Sequence, residues 1–425
     1  MPWTFSQPLD PGSFASLARV LASQHRADLF FSGRGFPGET RCLAGIEPCE
    51  EFLVTPLTTG CDIKAFALGP GGPALGFLGY PYGQILRGLP IGKQSRFPLG
   101  HFKKYAVMAA YDQQTGALEI TSRDRVIGET ISALCRRTLP AAPVFSRPEN
   151  LGPCQASLDR QGYQKAVSRA LERIRDGDIY QVSLSIMFSC QWPEFDGPGL
   201  FFDLLNRHPA PFFVWFASGR HRILSASPER FISVRRGRVL SQPIKGTARI
   251  GAEAAIAALR LRQNPKEDAE LSMIVDLIRN DISRNCAYGS VAVSGHKSIL
   301  AVDDLLQMYS NVSGILRPGR SCLDLFFDAF PGGSVTGCPK QSALGIIDAL
   351  EPHSRDIYCG AFMVIGGDND LDSSVAIRTA VYDTSSNELK FYAGSGIVID
   401  SDPASEYEET RAKAENFLRL VGDAG

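Results

Sequence analysis

No C-x-x-C pair, H-E-x-x-H helix or G-x-S-x-G elbow occurs in the 425 residues. That removes common signatures of thiol redox pairs, zinc sites and serine-triad hydrolases. Charge of one dominant sign is also missing, since 44 Lys and Arg face 45 Asp and Glu. The densest basic stretch, Arg235-Arg236-Gly237-Arg238, is too short to follow a phosphate backbone, so no nucleic-acid partner is expected. No apolar run approaches the ~18 residues of a membrane span. The start, Met1-Pro2-Trp3-Thr4-Phe5-Ser6, has neither a charged n-region nor a hydrophobic h-region, so no membrane association and a cytoplasmic location are expected. Ten scattered cysteines then read as free thiols in a reducing compartment. Cys338 and Cys359, with no His or Asp beside them, read as small buried hydrophobes. What remains is an ordinary globular composition, 44% hydrophobic and 21% charged, long enough for two or three domains or one large one.

Residues 141–153 carry Pro143, Pro148 and Pro153 among small and polar residues, the composition of a linker. The boundary divides a strand-rich region over residues 1–140 from a larger one over 155–421. Upstream, alternation predicts strands at 105–111 and 118–122 about a turn at 112–116, with a helix near 13–25. Downstream, Tyr163, Val167, Ala170, Leu171 and Ile174 recur at helical spacing after a Ser157 cap. Residues 180–188 alternate strictly, with Gln181, Ser183 and Ser185 on one face, a polar face suited to lining a cleft. Strands follow at 212–217, 222–227, 230–235 and 239–244, then helices near 252–262 and 266–284. Runs of strands flanked by helices indicate an α+β fold.

Three groups of residues can carry chemistry. The first is the hairpin from Ser227-Pro228-Glu229-Arg230 to Pro243-Ile244-Lys245-Gly246-Thr247. A register centred on Gly237 sets Val234 opposite Leu240 and Glu229 opposite Lys245, either as a cross-strand ion pair or as an acid and an amine in a shaped site. The second is a pair of helical i, i+3 carboxylates, Glu267 with Glu270 and Glu406 with Glu409. Each pair shares one helix face. If the faces meet they suit Mg²⁺, and if they do not they are acidic first turns favoured by the helix dipole. The third is glycine-rich backbone at 330–340 and 393–398, which offers amides to a carboxylate but is no P-loop. Arg378, between apolar residues, needs an anion, either a ligand or an internal Glu.

In this order the segments Ser227-Pro228-Glu229-Arg230, Pro243-Ile244-Lys245-Gly246-Thr247, Asp276-Leu277-Ile278-Arg279-Asn280-Asp281, the 330–340 loop, Ile377-Arg378-Thr379, Gly394-Ser395-Gly396-Ile397-Val398 and Glu406-x-x-Glu409-Thr410 resemble the chorismate-utilising enzymes. The resemblance is strong over about 155–421 and loose before it. It implies a large antiparallel β-sheet sandwich flanked by helices, as in anthranilate synthase component I. It also implies Mg²⁺ on Glu270 and Glu409, with Glu267 and Glu406 in support. Arg378, Tyr358 and the amides at Gly394 and Gly396 should hold a substrate carboxylate, with Thr336 and Gln307 nearby.

Two positions divide the family. Where the water-adding members carry a lysine, this chain has Gln181, like the ammonia-using members. Where anthranilate synthases have Ala in Pro-Ile-x-Gly-Thr, it has Lys245, like the aminodeoxychorismate synthases. That likeness implies conversion of chorismate and ammonia to 4-amino-4-deoxychorismate for para-aminobenzoate and folate synthesis. Glu229 would be the general acid and Lys245 the nucleophile of a covalent intermediate. Ammonia would come from a glutamine amidotransferase partner, because no cysteine here has a Gly-x-Cys-x-Gly setting. The alternatives are anthranilate synthase component I and a non-catalytic chorismate-binding subunit. Two departures stand out. Gln307 replaces the usual His and cannot take up a proton near neutrality. Gly79-Tyr80-Pro81-Tyr82-Gly83-Gln84 replaces the usual G-Y-D-x-G-R.

Overall fold

The computed structural model describes residues 2–32, 36, 40–137, 145, 151–250, 253–302 and 305–422. Among them, twenty strands join in one antiparallel network, with eleven α-helices around it, the α+β architecture the residue pattern predicts. The hub is Gly100–Asp112, buried throughout Gly100 to Tyr105 and alternating from Ala106 onward, where one face is covered. Along its length it pairs with Arg41–Val54, while its start also takes Ala74–Leu78 and its end Ala117–Ser122. Two arms leave from this hub. One runs through Asp28–Ser32, Phe212–Ser218, His221–Ser227, Thr379–Asp383 and Glu388–Ile397 to Gln181–Gln191. The other runs through Ala361–Ile365, Leu371–Val375, Arg230–Arg235 and Arg238–Gln242 to Leu305–Ile315, which also carries Ile244–Arg249 and Ala292–Val302.

The arms stack as a sandwich, and aromatic residues fill the space between them. Phe216 of the first arm meets Phe77 of the second edge-on at 5.6 Å, and Phe30 meets Phe362 at 6.4 Å, the geometry ring quadrupoles favour. Asp28–Ser32 and Ala74–Leu78 bond directly to Phe212–Ser218 and Ala361–Ile365, so the two sequence regions share one sheet. The proline-rich stretch proposed to divide them lies largely outside the described residues. All ten cysteines are free. Cys359 is buried and its thiol is pushed up to about 12 by desolvation, while Cys338 is only half-buried.

Three local expectations are corrected. Helix Arg160–Arg175 is capped by Asp159, which accepts from the Gly162 amide at 2.7 Å, and not by Ser157. Asp159 directly precedes the first turn, whereas Ser157 is drawn to the neighbouring strand, accepting from the Met187 amide at 2.9 Å. The 239–244 strand breaks at Pro243, which has no amide to donate, into Arg238–Gln242 and Ile244–Arg249. The hairpin turns on both Arg236 and Gly237, each with positive φ, as a two-residue turn requires. That sets Val234 opposite Val239 and Arg235 opposite Arg238, one residue off the expected register. Glu229 therefore lies before the ladder instead of opposite Lys245.

Candidate active site

Glu229 ends the link between His221–Ser227 and Arg230–Arg235. Its carbonyl accepts from the Val375 amide at 3.1 Å. The side chain is buried, and its Oε1 accepts a 2.7 Å hydrogen bond from the Ser334 hydroxyl. Desolvation raises the carboxyl from its ordinary value to about 7, against the pull of Ser334 and the positive charge of Lys245. A carboxylic acid that holds its proton near neutrality can act as a general acid.

Lys245 lies on Ile244–Arg249, where the ladder with Leu305–Ile315 shifts between Lys245 and Thr247. The extra residue is Gly246 at φ 71°, and a Cβ there would come within 3.0 Å of Glu267 Oε2, so the bulge needs glycine. The bulge aims the lysine into the site. Its Nζ stands 3.9 Å from Glu270 Oε2, while Glu229 acts on it at longer range through charge.

The third wall is the end of Gln181–Gln191 with Glu388–Ile397, where Gly396 pairs with Ser183 and Gly394 with Ser185. The glycine-rich 393–398 segment is thus strand, and its pairing with Thr379–Asp383 ends at Phe391. A Cβ on Gly396 would lie 2.7 Å from Gln181 Nε2 and 3.2 Å from Lys245 Nζ. Gln181 and Lys245 therefore meet over the Gly396 backbone. Gln181 is fully buried, yet neither its Oε1 nor its Nε2 has a hydrogen-bond partner, and Gln307 Oε1 is likewise buried and unpartnered. Such groups ordinarily carry a desolvation penalty of about 1–3 kcal/mol each, which a polar ligand would relieve. Thr336 is different: its Oγ1 donates to the Gly332 carbonyl at 2.9 Å and its carbonyl accepts from the Ser183 amide at 2.8 Å. It ties the glycine-rich loop to this strand.

The two acidic helix faces do come together. Pro265–Ser283 starts on an Asn264 cap and Pro403–Val421 on an Asp402 cap, each with proline in its first turn. The helices bring Glu267, Glu270, Glu406 and Glu409 around Lys266, whose Nζ stands 4.0 Å from Glu270 and 3.9 Å from Glu406. Burial, then the negative charges of Glu270 and Glu409, raise the Glu267 carboxyl. Burial also acts on Glu409, but Lys413 at 2.6 Å holds it below its ordinary value. Glu406 Oε1 accepts from Ser401 at 2.7 Å, while its buried Oε2 has no partner. Among the described residues no group of three or more His, Cys, Asp or Glu side chains is gathered tightly enough to hold a metal ion as it stands. The donor set is nevertheless hard oxygen, crowded by like charge and partly unpartnered, which fits Mg²⁺.

Tyr358 lies buried in a stack with Tyr392, centroids 5.3 Å apart. Desolvation and the charge of Cys359 raise its hydroxyl well above the ordinary value. Arg378 sits in a bend at φ 49°, its carbonyl accepting from the Ala226 amide at 3.0 Å, so it borders the segment that carries Glu229. Lys340, in the glycine-rich motif, bonds Asp281 at 2.8 Å and is structural. Sequence reasoning missed Ser334 and the buried Glu351–Arg355 pair. Arg355 donates to the Val335 carbonyl at 2.9 Å and the Ser183 carbonyl at 2.7 Å, fastening the loop that presents Ser334. A serine amid the glycines of that loop was the only available sign of the first, and nothing in the sequence marked the second.

The chain is similar to proteins of one family. The profile of the chorismate binding enzymes covers residues 50–419. The chain is 32% identical over 382 residues to anthranilate synthase component 1 of Geobacillus stearothermophilus, covering 83% of this chain and 75% of that protein. It is also 32% identical over 365 residues to aminodeoxychorismate synthase component 1 of Bacillus subtilis, covering 82% and 77%. Among solved structures, anthranilate synthase component I from Streptococcus pneumoniae TIGR4 superimposes with a TM-score of 0.80 at 25% identity, covering 91% of this chain and 93% of that one. With the family profile spanning most of its length and relatives about a third identical over most of the chain, the chain belongs to the chorismate binding enzymes.

Proposed function

We propose that the protein is the chorismate-aminating component of an aminodeoxychorismate synthase. The observation that carries this reading is Lys245 Nζ beside Gln181 over Gly396, with Glu229 protonated up to about pH 7. The lysine amine bonds to C2 of chorismate while the C4–O bond breaks, and Glu229 gives its proton to the departing hydroxyl, which leaves as water. Ammonia then bonds to C4, the C2–Nζ bond breaks, and the surplus ammonium proton returns to Glu229. The amide of Gln181 supplies neutral hydrogen-bonding groups to the incoming nitrogen. Glu270 and Glu409 would hold Mg²⁺, supported by Glu267 and Glu406, and the ion would supply charge neutralisation at the ring carboxylate. Arg378, Tyr358 and the Gly394 and Gly396 backbone bind the other carboxylate. The relatives' designation as component 1 supports a second subunit, a glutamine amidotransferase that delivers ammonia, and the product would feed para-aminobenzoate and folate synthesis in the cytoplasm.

The test is to incubate the purified chain with chorismate, Mg²⁺ and ammonium and to separate the products. Aminodeoxychorismate is the expected product. Anthranilate, favoured by the equal identity to an anthranilate synthase component 1, would replace this reading. Chorismate bound and left unconsumed would mark a non-catalytic subunit.

A further inference from the structure

Glu229 offers two oxygens, and only one is engaged. Oε1 accepts from Ser334 at 2.7 Å, while Oε2 has no hydrogen-bond partner among the described residues. A hydroxyl that donates to Oε1 leaves that oxygen an acceptor, so the carboxylic proton sits on Oε2. The donor is held from both sides. Ser334 lies in the 3₁₀ turn Gly333–Val335. Behind it, Thr336 Oγ1 closes onto the Gly332 carbonyl at 2.9 Å. Ahead of it, Arg355 Nη1 grips the Val335 carbonyl at 2.9 Å. Arg355 is itself fully buried and paired with Glu351 at 2.6 Å. The carboxyl is fixed as well, because its backbone accepts from Val375 and its amide donates to Ser227 Oγ at 3.3 Å. The charged group acting on it from Ile244–Arg249 is Lys245, and Arg230, next in sequence, turns away to Gln242 at 2.9 Å and to Asp372.

We propose that Ser334 is a positioning residue for the acid step: its hydroxyl pins Glu229 Oε1 and so presents the proton on Oε2 to the leaving hydroxyl of the substrate. This rests on the reading of Glu229 as general acid and extends it to a residue that touches no reacting atom. The same bond favours the ionised carboxyl, so Ser334 also keeps the acid from holding its proton too tightly to release it. A hydroxyl is needed at this position, and threonine supplies one from the same Cβ.

The experiment compares the parent with Ser334→Ala and Ser334→Thr by two readouts. One is infrared titration of the protonated carboxyl, assigned to Glu229 by its absence from Glu229→Gln. The other is the pH profile of chorismate consumption. Ser334→Ala should raise the Glu229 midpoint by about half a pH unit or more, move the basic limb of the profile with it, and lower kcat about tenfold or more with KM little changed. Ser334→Thr should restore both. An unmoved carboxyl band with an unchanged kcat in Ser334→Ala would overturn the proposal. So would loss of kcat in Ser334→Ala and Ser334→Thr alike, with the midpoint unmoved in both, since that pattern marks mere packing. Melting curves on the same samples show whether each variant is folded, and the infrared midpoint of Ser334→Thr decides the matter if Ser334→Ala is not. A parent that yields anthranilate defeats the amination reading without touching the Glu229 titration, so the two failures are distinguishable.

Discussion

Replacing Glu229 by Gln should make the folded protein more stable at neutral and alkaline pH while abolishing turnover. An unfolded glutamate loses its proton near 4.5, whereas the buried Glu229 keeps it to about 7. Between those values the folded state binds more protons than the unfolded one, so stability falls as pH rises through the window, and the whole penalty is present above it. At 1.36 kcal/mol per pH unit, the raised carboxyl costs about 3 kcal/mol once both states are ionised. Gln keeps the side chain's shape and still accepts from Ser334, but it carries no charge to desolvate. Urea unfolding of parent and variant at several pH values provides the assay. The stability difference should stay below about 1 kcal/mol at pH 5, widen through pH 6 and 7, and level off near ~3 kcal/mol above pH 8. A flat difference, or one that favours the parent at high pH, would show that the site does not penalise the ionised carboxyl. The acid role assigned to Glu229 would then lose its physical basis.

Lys245→Ala should abolish aminodeoxychorismate formation while leaving chorismate binding within about threefold, and slow anthranilate formation should appear because the site then resembles the Ala-containing relatives. Product analysis and binding calorimetry read the two effects separately, and parental amination by this variant would remove the covalent route. Glu409→Gln and Glu270→Gln should each weaken Mg²⁺ and chorismate together by about tenfold or more, measured as Mn²⁺ displacement by electron paramagnetic resonance. The melting temperature of Glu409→Gln should barely move, because that side chain is half exposed. The isolated chain should use ammonium but not glutamine, and adding a glutaminase subunit should confer glutamine use. Glutamine-dependent turnover by the homogeneous chain would refute this.

Local features were legible and long-range ones were not. The strands near 105–111 and 180–188 could be read from alternation, because burial on one face leaves its mark in every second residue, while 212–217, buried on both faces, reads as a continuous apolar run. The helix over Arg160–Arg175 could be read for the same reason at a different period. That Gly100–Asp112 would start two arms of a sandwich left no local mark, since partners such as Ala74–Leu78 and Arg41–Val54 are set by packing. The hairpin register went wrong by one residue because Arg236, a poor candidate for positive φ, shares the turn with Gly237. The carboxylate pairs gave each helix face correctly from spacing alone, yet only the fold sets the two faces against each other. Ser334 and Arg355 act through single hydrogen bonds to distant groups, which no periodicity encodes.

The division between water-adding and ammonia-using chemistry has a structural logic in the meeting of Gln181 and Lys245. Both reach the space above Gly396, one from each arm of the sandwich. A lysine at 181 would place a second ammonium beside the first. A second amine so close would compete with Lys245 in the nucleophilic role proposed for it. A glutamine there is neutral at every pH. It leaves Glu229 and the helix carboxylates as the charged groups around Lys245. Glycine at 396 is what lets the two side chains share the space.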